Sequence, residues 1–276
     1  MRIKTSWIVS NENQTMTKTL TFFIASLLLA CSSSDSKTEN SKEWVSLFNG
    51  EDLEGWQIKI AGHDLDDNIH ETFRVEEGML KIRYDKYDSY GKQYGAIFTD
   101  KAYTNYRLKM EYRFVGDTAV GAPSWGYRDS GVQYHCQNPK TMAVDQSFPY
   151  SLEYNLHGGD ENNERPTGQI CANGTLITLD GEVVKGCHQP DPAVIIKGDD
   201  WATLEIIVQE SDFGQYIRQY INGVEILSFS NPRLDPDHTV AKTFIKEDEL
   251  LTSGFISLQS NSHPIDFRKI EILEYK

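Results

Sequence analysis

Short stretches in which apolar and polar residues alternate recur along most of the chain. The clearest covers 106–114, in which Leu108, Met110, Tyr112 and Phe114 occupy every second position. Because successive side chains of a strand point to opposite faces, this alternation predicts a strand with one buried face. Segments of similar character lie at 72–83, 96–99, 131–136, 151–157, 201–210, 216–227, 255–259 and 265–275.

Turn residues separate these segments. Glu77-Gly78 interrupts the segment 72–83, and Asn222-Gly223 interrupts 216–227; Asn-Gly between alternating stretches is a strong hairpin signal. No segment keeps a helical period over three turns, and no linker or internal repeat divides the chain after residue 44. The pattern therefore predicts one all-β domain over 44–276, folded as a sandwich of antiparallel sheets.

The first 43 residues have a different pattern. The apolar run 20–30, LTFFIASLLLA, is too short to span a bilayer and suits the central part of a signal peptide. Translation is then expected to start at Met16, and Lys18 supplies the positive charge before the run. The run ends at Leu28-Leu29-Ala30-Cys31, which resembles a bacterial lipobox and predicts that the Cys31 thiol is lipidated. The polar residues 32–43 would then be a flexible tether, and the protein an exported lipoprotein anchored to a cell-envelope membrane on its periplasmic or surface face. An ordinary secretory signal is the alternative.

Composition narrows the function classes. The 276 residues include 41 Asp and Glu against 27 Lys and Arg, for a net charge of -14. Such a chain repels phosphate backbones, which argues against a nucleic-acid partner. Aromatic residues make up 11%; they suit sheets and also surfaces on which sugar rings stack.

Alternation also sorts the polar side chains by face. Glu153, Asn155 and His157 share one face of the segment 151–157, and Gln133 and His135 share the outer face of 131–136. Arg218 and Tyr220 are likewise predicted on the outer face of their strand, and Gln259 on that of 255–259. Asn261 and His263 follow in a loop. If these strands are neighbours, the side chains form a polar groove that suits a carbohydrate; a solvated sheet face is the alternative.

Three cysteines lie within the predicted domain. Cys171 and Cys187 flank a turn-rich stretch, and export would permit a disulfide between them. Pairings with Cys136 remain open, but the bridge 171–187 is favoured, which leaves Cys136 as a buried thiol. Zinc binding is not expected without a Cys-x-x-Cys pair.

Several motifs taken together resemble those of the 3-keto-disaccharide hydrolase domain family over about 44–275. In chain order they are SLFNGEDLEGW (46–56), DSGVQYH (129–135), SLEYN (151–155), TGQI (167–170), DW (200–201), IRQYING (217–223), GFISLQS (254–260) and DFRKI (266–270). The resemblance implies a concanavalin A-like jelly roll with a ligand groove on its concave sheet. It also implies cleavage of glycosides that carry a ketone at sugar C3. The family often has Asn where Asp129 stands and Arg where His135 stands.

This reaction defines the groups to look for. A ketone at C3 acidifies the proton on C2; a base removes it, the group on C1 leaves by β-elimination, and water later adds to the product. His157 or His135 are candidates for the base, and Glu153 for the acid or the base. Arg218, Gln259 or a bound divalent cation could stabilise the negative oxygen. The predicted substrate-binding residues are Gln133, Asn155, Arg218, Tyr220, Gln259, Asn261 and His263.

Three alternatives stay open at this point. A metal held by Glu153, His157 and His135 is conceivable, although their spacing is no metal signature. A laminarinase-type glycanase is disfavoured, because it needs two carboxylates on one strand and here His157 stands in the second position. A lectin-like module would keep the groove and bind an oligosaccharide without cleaving it.

Overall fold

The structure is a computed structural model that describes residues 43–246 and 250–275. The predicted signal peptide, the lipidated Cys31 and the tether up to residue 42 lie outside the described residues. Among the described residues, no helix has the length and apolar character needed to cross a membrane.

The described part of the chain is built from strands, with 3₁₀ turns at Ile69–Glu71, Ser124–Gly126, Pro139–Thr141 and Ala241–Thr243 and no α-helix. In chain order the strands are β1 (Val45–Ser46), β2 (Trp56–Ile60), β3 (Phe73–Glu76), β4 (Met79–Ile82), β5 (Gly95–Thr99), β6 (Tyr106–Phe114), β7 (Asp129–Cys136), β8 (Ser151–His157), β9 (Pro166–Thr167), β10 (Gln169–Leu179), β11 (Glu182–His188), β12 (Val194–Ile195), β13 (Ala202–Ser211), β14 (Gly214–Ile221), β15 (Val224–Leu234), β16 (Phe255–Ser260) and β17 (Ile265–Glu274).

Fifteen of the described strands form one continuous antiparallel sheet. The order is β2-β5-β16-β7-β8-β10-β15-β14-β13-β6-β17-β4-β3, with β11 beside β10 and β1 beside β17. The sheet curls so that its two halves face each other across one core, which is the predicted concanavalin A-like jelly-roll sandwich. Polar bonds cross this core: Gln219 on β14 donates to the Tyr134 hydroxyl on β7 at 3.0 Å, and Tyr112 on β6 meets Thr167 at 2.9 Å.

The alternating segments fold as predicted. In β6 the apolar residues at 108, 110, 112 and 114 are all buried, and the residues between them are partly or fully exposed. The hairpin turn at Asn222-Gly223 joins β14 to β15. Burying alternate apolar side chains against the opposite half of the sheet supplies the main stabilisation of such a sandwich.

One predicted strand departs from regular alternation. His135 has a φ of 51°, and the register between β7 and β16 shifts at this point, as it does at a β-bulge. The bulge turns His135 away from Gln133 and toward the core, where its Nε2 lies 2.5 Å from Gln215 Oε1 on β14. The expectation that His135 shares the outer face with Gln133 is therefore wrong.

The hairpin of β10 and β11 was not expected from the sequence. The favoured disulfide is present within it: Cys171 and Cys187 are directly paired in the register of the two strands and bonded to each other. β11 pairs with no other strand in the described structure. Cys136 is a free, buried thiol, as expected.

Candidate functional site

A pocket of about 210 Å³ opens on the outer face of β7, β8, β10 and β16. The register places Asp129 opposite His157, Gly131 opposite Asn155, and Gln133 opposite Glu153. Outward-pointing side chains of neighbouring strands therefore converge here. The residues that line the pocket are Trp125, Asp129, Phe148, Glu153, Asn155, Cys171, Asn173, Cys187, Gln259 and Asn261.

Glu153 is the central carboxyl group of this pocket. Its Oε2 accepts hydrogen bonds from Asn173 Nδ2 at 2.8 Å and, more weakly, from Gln133 Nε2 at 3.5 Å. Ser257 fixes the orientation of the Gln133 amide by donating to its Oε1 at 2.9 Å. Because both amide donors point at Oε2, the second oxygen, Oε1, is left to exchange a proton with a ligand.

The surroundings of Glu153 favour its protonated form. Burial raises the pKa of Glu153 to about 7, the negative charge of Asp129 adds to this, and the amides of Gln133 and Asn173 partly oppose it. A carboxyl group with such a pKa exists in both forms near neutral pH, which is what proton transfer requires.

Asp129 is the second carboxylate in the pocket, and it is held by several donors. Its Oδ2 lies 3.0 Å from His157 Nε2 and 3.1 Å from Arg165, while its Oδ1 accepts from Asn261 Nδ2 at 2.8 Å. The side chain is 7% exposed. Two basic partners and an amide supply the polar contacts that a buried carboxyl group needs.

His157 is engaged at both ring nitrogens. Nε2 faces Asp129, and Nδ1 lies 3.2 Å from the carbonyl oxygen of Pro166. A carbonyl oxygen can only accept a hydrogen bond, so Nδ1 is a donor here. Neither nitrogen faces the pocket, so His157 can orient Asp129 but offers no ring nitrogen to a ligand.

Two amide side chains offer hydrogen-bonding atoms to a ligand. Asn261 spends both amide hydrogens on Asp129 and on Gln259 Oε1, the latter at 2.7 Å, and its buried Oδ1 has no partner among the described residues. The Oδ1 of Asn155 is likewise buried without a partner in the described structure. Buried polar atoms are normally paired, so these two carbonyl oxygens are candidates to accept hydroxyl groups of a sugar.

Arg165 and Asp129 are the charged members of the site for which the sequence analysis proposed no role. Arg165 bonds to the backbone carbonyl groups of Trp125 and Tyr127 as well as to Asp129. It thereby ties the loop that carries Trp125 to the carboxylate. Arg165 lies in a loop before Pro166, outside every alternating segment, so no strand pattern could assign it to this face. The residue type at Asp129, where the family often has Asn, was the available signal for that position.

The structure separates three other predicted site residues from the pocket. His135 points toward the core, where burial lowers its pKa to about 4. Arg218 and Tyr220 lie on β14, which faces β7 and β8 across the core; their side chains point to the opposite surface, where they bond to Gln209 and Glu225. The expectation that these three residues share one groove with Glu153 is wrong, because the bulge turns His135 inward and the curled sheet has two outer faces.

His263 lies close to the pocket but behind it. It is 1% exposed, its Nδ1 is 2.9 Å from Thr118 Oγ1, and the rings of Phe114 and Tyr127 pack against it. Burial lowers the pKa of His263 to about 4, and the positive charges of Arg128 and Arg165 act in the same direction. The side chain is therefore a neutral imidazole that supports the Asp129 cluster and does not line the pocket.

A metal centre has little support in this arrangement. The set Glu153, His157 and His135 is not brought together, since His135 faces the core. Over residues 43–246 and 250–275, no group of three or more His, Cys, Asp or Glu side chains is placed to hold a metal ion.

Aromatic rings form the rim of the pocket. Trp125 is 47% exposed and Phe148 36%. Tyr94 lies against both rings: it stacks on Trp125 with an interplanar angle of 12° and a centroid distance of 5.9 Å, and it contacts Phe148 at 5.1 Å. A polar pocket with exposed aromatic rings at its edge is typical of proteins that bind sugars.

Comparison with known proteins identifies the family. The family model of the 3-keto-alpha-glucoside-1,2-lyase-like domain matches residues 43–273. The chain belongs to this family. Its sequence resemblance to the 3-keto-disaccharide hydrolase domains is thereby confirmed, and the landmarks at 129–135 and 151–155 are the strands that build the pocket. The comparison with curated proteins gave no match.

Solved structures resemble the chain to different degrees. A protein from Parabacteroides distasonis, provisionally described as a glycosyl hydrolase, aligns with a TM-score of 0.52 at 17% identity and covers 87% of this chain and 98% of its own. A second such protein from the same organism has a TM-score of 0.46 at 22% identity, covering 84% and 100%. The carbohydrate-binding module CBM66 from Bacillus subtilis has a TM-score of 0.45 at 7% identity, covering 80% and 96%.

Proposed function

We propose that the protein is a carbohydrate-active enzyme that cleaves 3-keto-glucosides by β-elimination, with Glu153 as the group that moves the proton. The observation that carries this proposal is the Glu153 carboxyl group itself. It lies in a pocket that also contains Asn155, Gln259 and Asn261, and its pKa is raised to about 7. Its Oε1 has no hydrogen-bond partner among the residues that the structure describes. Membership of the 3-keto-alpha-glucoside-1,2-lyase-like family supports the choice of substrate.

The proposed reaction balances without an external reagent. Ionised Glu153 takes the proton from C2, and the electrons of the C–H bond move toward the C3 ketone as an enolate. The enolate then expels the oxygen substituent on C1, forming the C1–C2 double bond and restoring the ketone. The leaving oxygen needs one proton, and Glu153 carries one at that moment. The products are an unsaturated keto sugar and the free alcohol, and hydration of the sugar is a later, separate step.

The other polar residues have supporting roles in this scheme. No partner for Gln259 Nε2 occurs among the described residues, so it can donate to the enolate oxygen. Asn155 and Asn261 accept from sugar hydroxyl groups. Asp129, held by His157 and Arg165, raises the pKa of Glu153, and His157 is a positioning residue because both of its nitrogens are occupied.

The test is turnover of methyl 3-keto-α-glucoside by the wild type and by Glu153→Gln. The amide keeps the shape of the side chain but cannot take a proton, so we expect a loss of at least 10²-fold, the lower range for a general acid–base group. Glu182→Gln is the matched control, since Glu182 is exposed on β11. A Glu153→Gln variant with wild-type turnover would refute the assignment.

Hydrolysis by two carboxylates is the second candidate. Asp129 enters the pocket from β7 and supplies the second carboxyl group that β8 lacks. A glycosidase of this kind would cleave ordinary glycosides as well as keto-glycosides. Methyl α-glucoside, assayed beside its 3-keto counterpart, separates the two reactions. Binding of both without cleavage of either would instead indicate the lectin-like module.

The N-terminal sequence supports a proposal for where in the cell the protein acts. We propose that the chain is exported and anchored to a cell-envelope membrane through lipid on Cys31, because an apolar run ends directly at this cysteine. A disulfide such as Cys171–Cys187 is compatible with an oxidising compartment. Labelled palmitate should be incorporated into the wild type and not into Cys31→Ala; equal labelling of both would contradict the anchor.

A further inference from the structure

The aromatic rim of the pocket is not used by the proposed chemistry, which requires only the polar residues at the base. This rim consists of Trp125, Phe148 and Tyr94, and the three rings together are called the aromatic platform. Tyr94 covers one face of the Trp125 indole with nearly parallel planes, at 12°. Trp125 is nevertheless 47% exposed and lines the pocket. Its other face is therefore available to a group that projects from the sugar bound below.

The loop that carries Trp125 is held in place from both sides. Arg165 donates to the backbone carbonyl of Trp125 and to Asp129. On the other side, Gly126 packs so closely on Asn261 and Ser262 that a Cβ atom at this position would clash with the Ser262 hydroxyl. A rigid ring adjoining the pocket can bind a partner without paying an ordering cost at the moment of binding.

The segments that lead up to Trp125 and Phe148 are mostly apolar. The two segments read AVGAPSW at 119–125 and MAVDQSF at 142–148. Gln146 is occupied within its own loop, where Nε2 donates to Gln137 Oε1 at 2.7 Å and to the Phe148 carbonyl at 2.8 Å. Val120 and Val144 are 71% and 54% exposed. A second sugar needs several polar partners for its hydroxyl groups, whereas a flat apolar group needs only ring contact.

The geometry points to a keto-glucoside with an aromatic aglycone as the substrate class, its ring stacked on Trp125 and Phe148. This inference rests on the proposed function, because it assigns the leaving group of the same reaction. Trp125 is then the residue that determines aglycone specificity. Glu153 would act on the sugar at the base of the pocket while the aromatic platform holds the group that departs.

The test compares three 3-keto-α-glucosides whose leaving groups are all alkyl alcohols: methyl, benzyl and a glucosyl-glucose disaccharide. Choosing benzyl in place of phenyl keeps leaving-group chemistry similar, so that differences in kcat/KM report binding. For the full-length wild type we expect the benzyl compound to exceed the methyl compound by about 3- to 10-fold, the range of one aromatic contact. Trp125→Ala should bring this ratio close to one, and Trp125→Phe should restore part of it.

Phe213→Ala is the control, since Phe213 is an aromatic residue that is 92% exposed in the turn between β13 and β14; its ratio should equal that of the wild type. A wild-type preference for the disaccharide over the benzyl compound, or an unchanged ratio in Trp125→Ala, would overturn the inference. If none of the three compounds is cleaved, the proposed reaction fails. Calorimetric titration with benzyl and methyl α-glucoside then decides the inference separately, and equal affinities would overturn it.

Discussion

Gly131 lies directly beneath the carboxyl group of Glu153. A Cβ atom at position 131 would stand 2.6 Å from Glu153 Oε1 and 2.9 Å from its carboxyl carbon. The missing side chain on β7 thus leaves room for the Glu153 side chain, which comes from β8 two positions further along the register. This explains how Glu153 comes close enough to Asp129 for the charge of Asp129 to affect its pKa.

Gly131→Ala should therefore displace the catalytic carboxyl group. We expect kcat/KM on methyl 3-keto-α-glucoside to fall roughly 10²-fold, the cost of misplacing a reacting group by about an ångström. A double variant tests whether the loss of activity is steric. Glu153→Asp, with a shorter side chain, should be much less harmful when combined with Gly131→Ala than it is alone. Additive losses in the double variant would argue against this steric relationship.

The pKa of Glu153 gives a prediction for activity against pH. If Glu153 acts as the base, it must be ionised, so turnover should fall as the pH drops below about 7. Asp129→Asn removes the neighbouring negative charge, which should lower the pKa of Glu153 and move this acidic limb to lower pH. The readout is the midpoint of the limb in a profile of log kcat/KM. If turnover instead falls as the pH rises above about 7, Glu153 acts as an acid. If the midpoint is the same in Asp129→Asn as in the wild type, the charge of Asp129 does not affect the pKa of Glu153.

The raised pKa of Glu153 should also make the free energy of unfolding depend on pH. The pKa of Glu153 is higher in the folded state than the ordinary value of 4.5, so its contribution to stability is fully present below pH 4.5 and is lost as the pH rises to about 7. Glu153→Gln does not ionise and escapes this loss. The free energy of unfolding of the variant, relative to the wild type, should increase between pH 4 and pH 8 by on the order of 3 kcal/mol.

Denaturant unfolding at both pH values tests this prediction. Glu182→Gln serves again as the control, because an exposed carboxyl group on β11 should show little pH-dependent difference. A constant difference between Glu153→Gln and the wild type across this range would mean that Glu153 titrates normally in the folded protein.

Several strands and their buried faces could be predicted from the sequence because alternation is a local property. β6 and β8 begin and end where the pattern places them, and Glu153 and Asn155 project outward together. The alternation predicted the wrong side-chain orientation where a strand is locally irregular. The bulge at His135 reverses one side chain, and a single residue with positive φ leaves no trace in an otherwise regular alternation.

The sequence pattern could not predict which residues meet at the site, because those residues are distant from one another in the sequence. Arg165 reaches Asp129 across 36 residues, from a loop without a strand pattern. Arg218 and Tyr220 have the correct outward direction on β14, but the curl of the sheet places that face on the opposite surface of the sandwich. Alternation indicates which side chains point away from the core. It does not indicate on which outer face of the sandwich they lie.

The disulfide provides the last prediction, because Cys171 and Cys187 both line the pocket. Their separation of 16 residues closes a loop whose entropy in the unfolded chain is worth about 3 kcal/mol. Cys171→Ala with Cys187→Ala should lower the free energy of unfolding by about that amount. It should also weaken substrate binding, since the covalent bond that fixes β11 beside the pocket is then lost. Unfolding in denaturant and KM for methyl 3-keto-α-glucoside are the two measurements.

Cys136→Ala is the matched control: Cys136 is a buried free thiol outside the pocket lining, so KM should stay at the wild-type value. A double variant with wild-type KM would show that the bridge stabilises the fold without shaping the pocket.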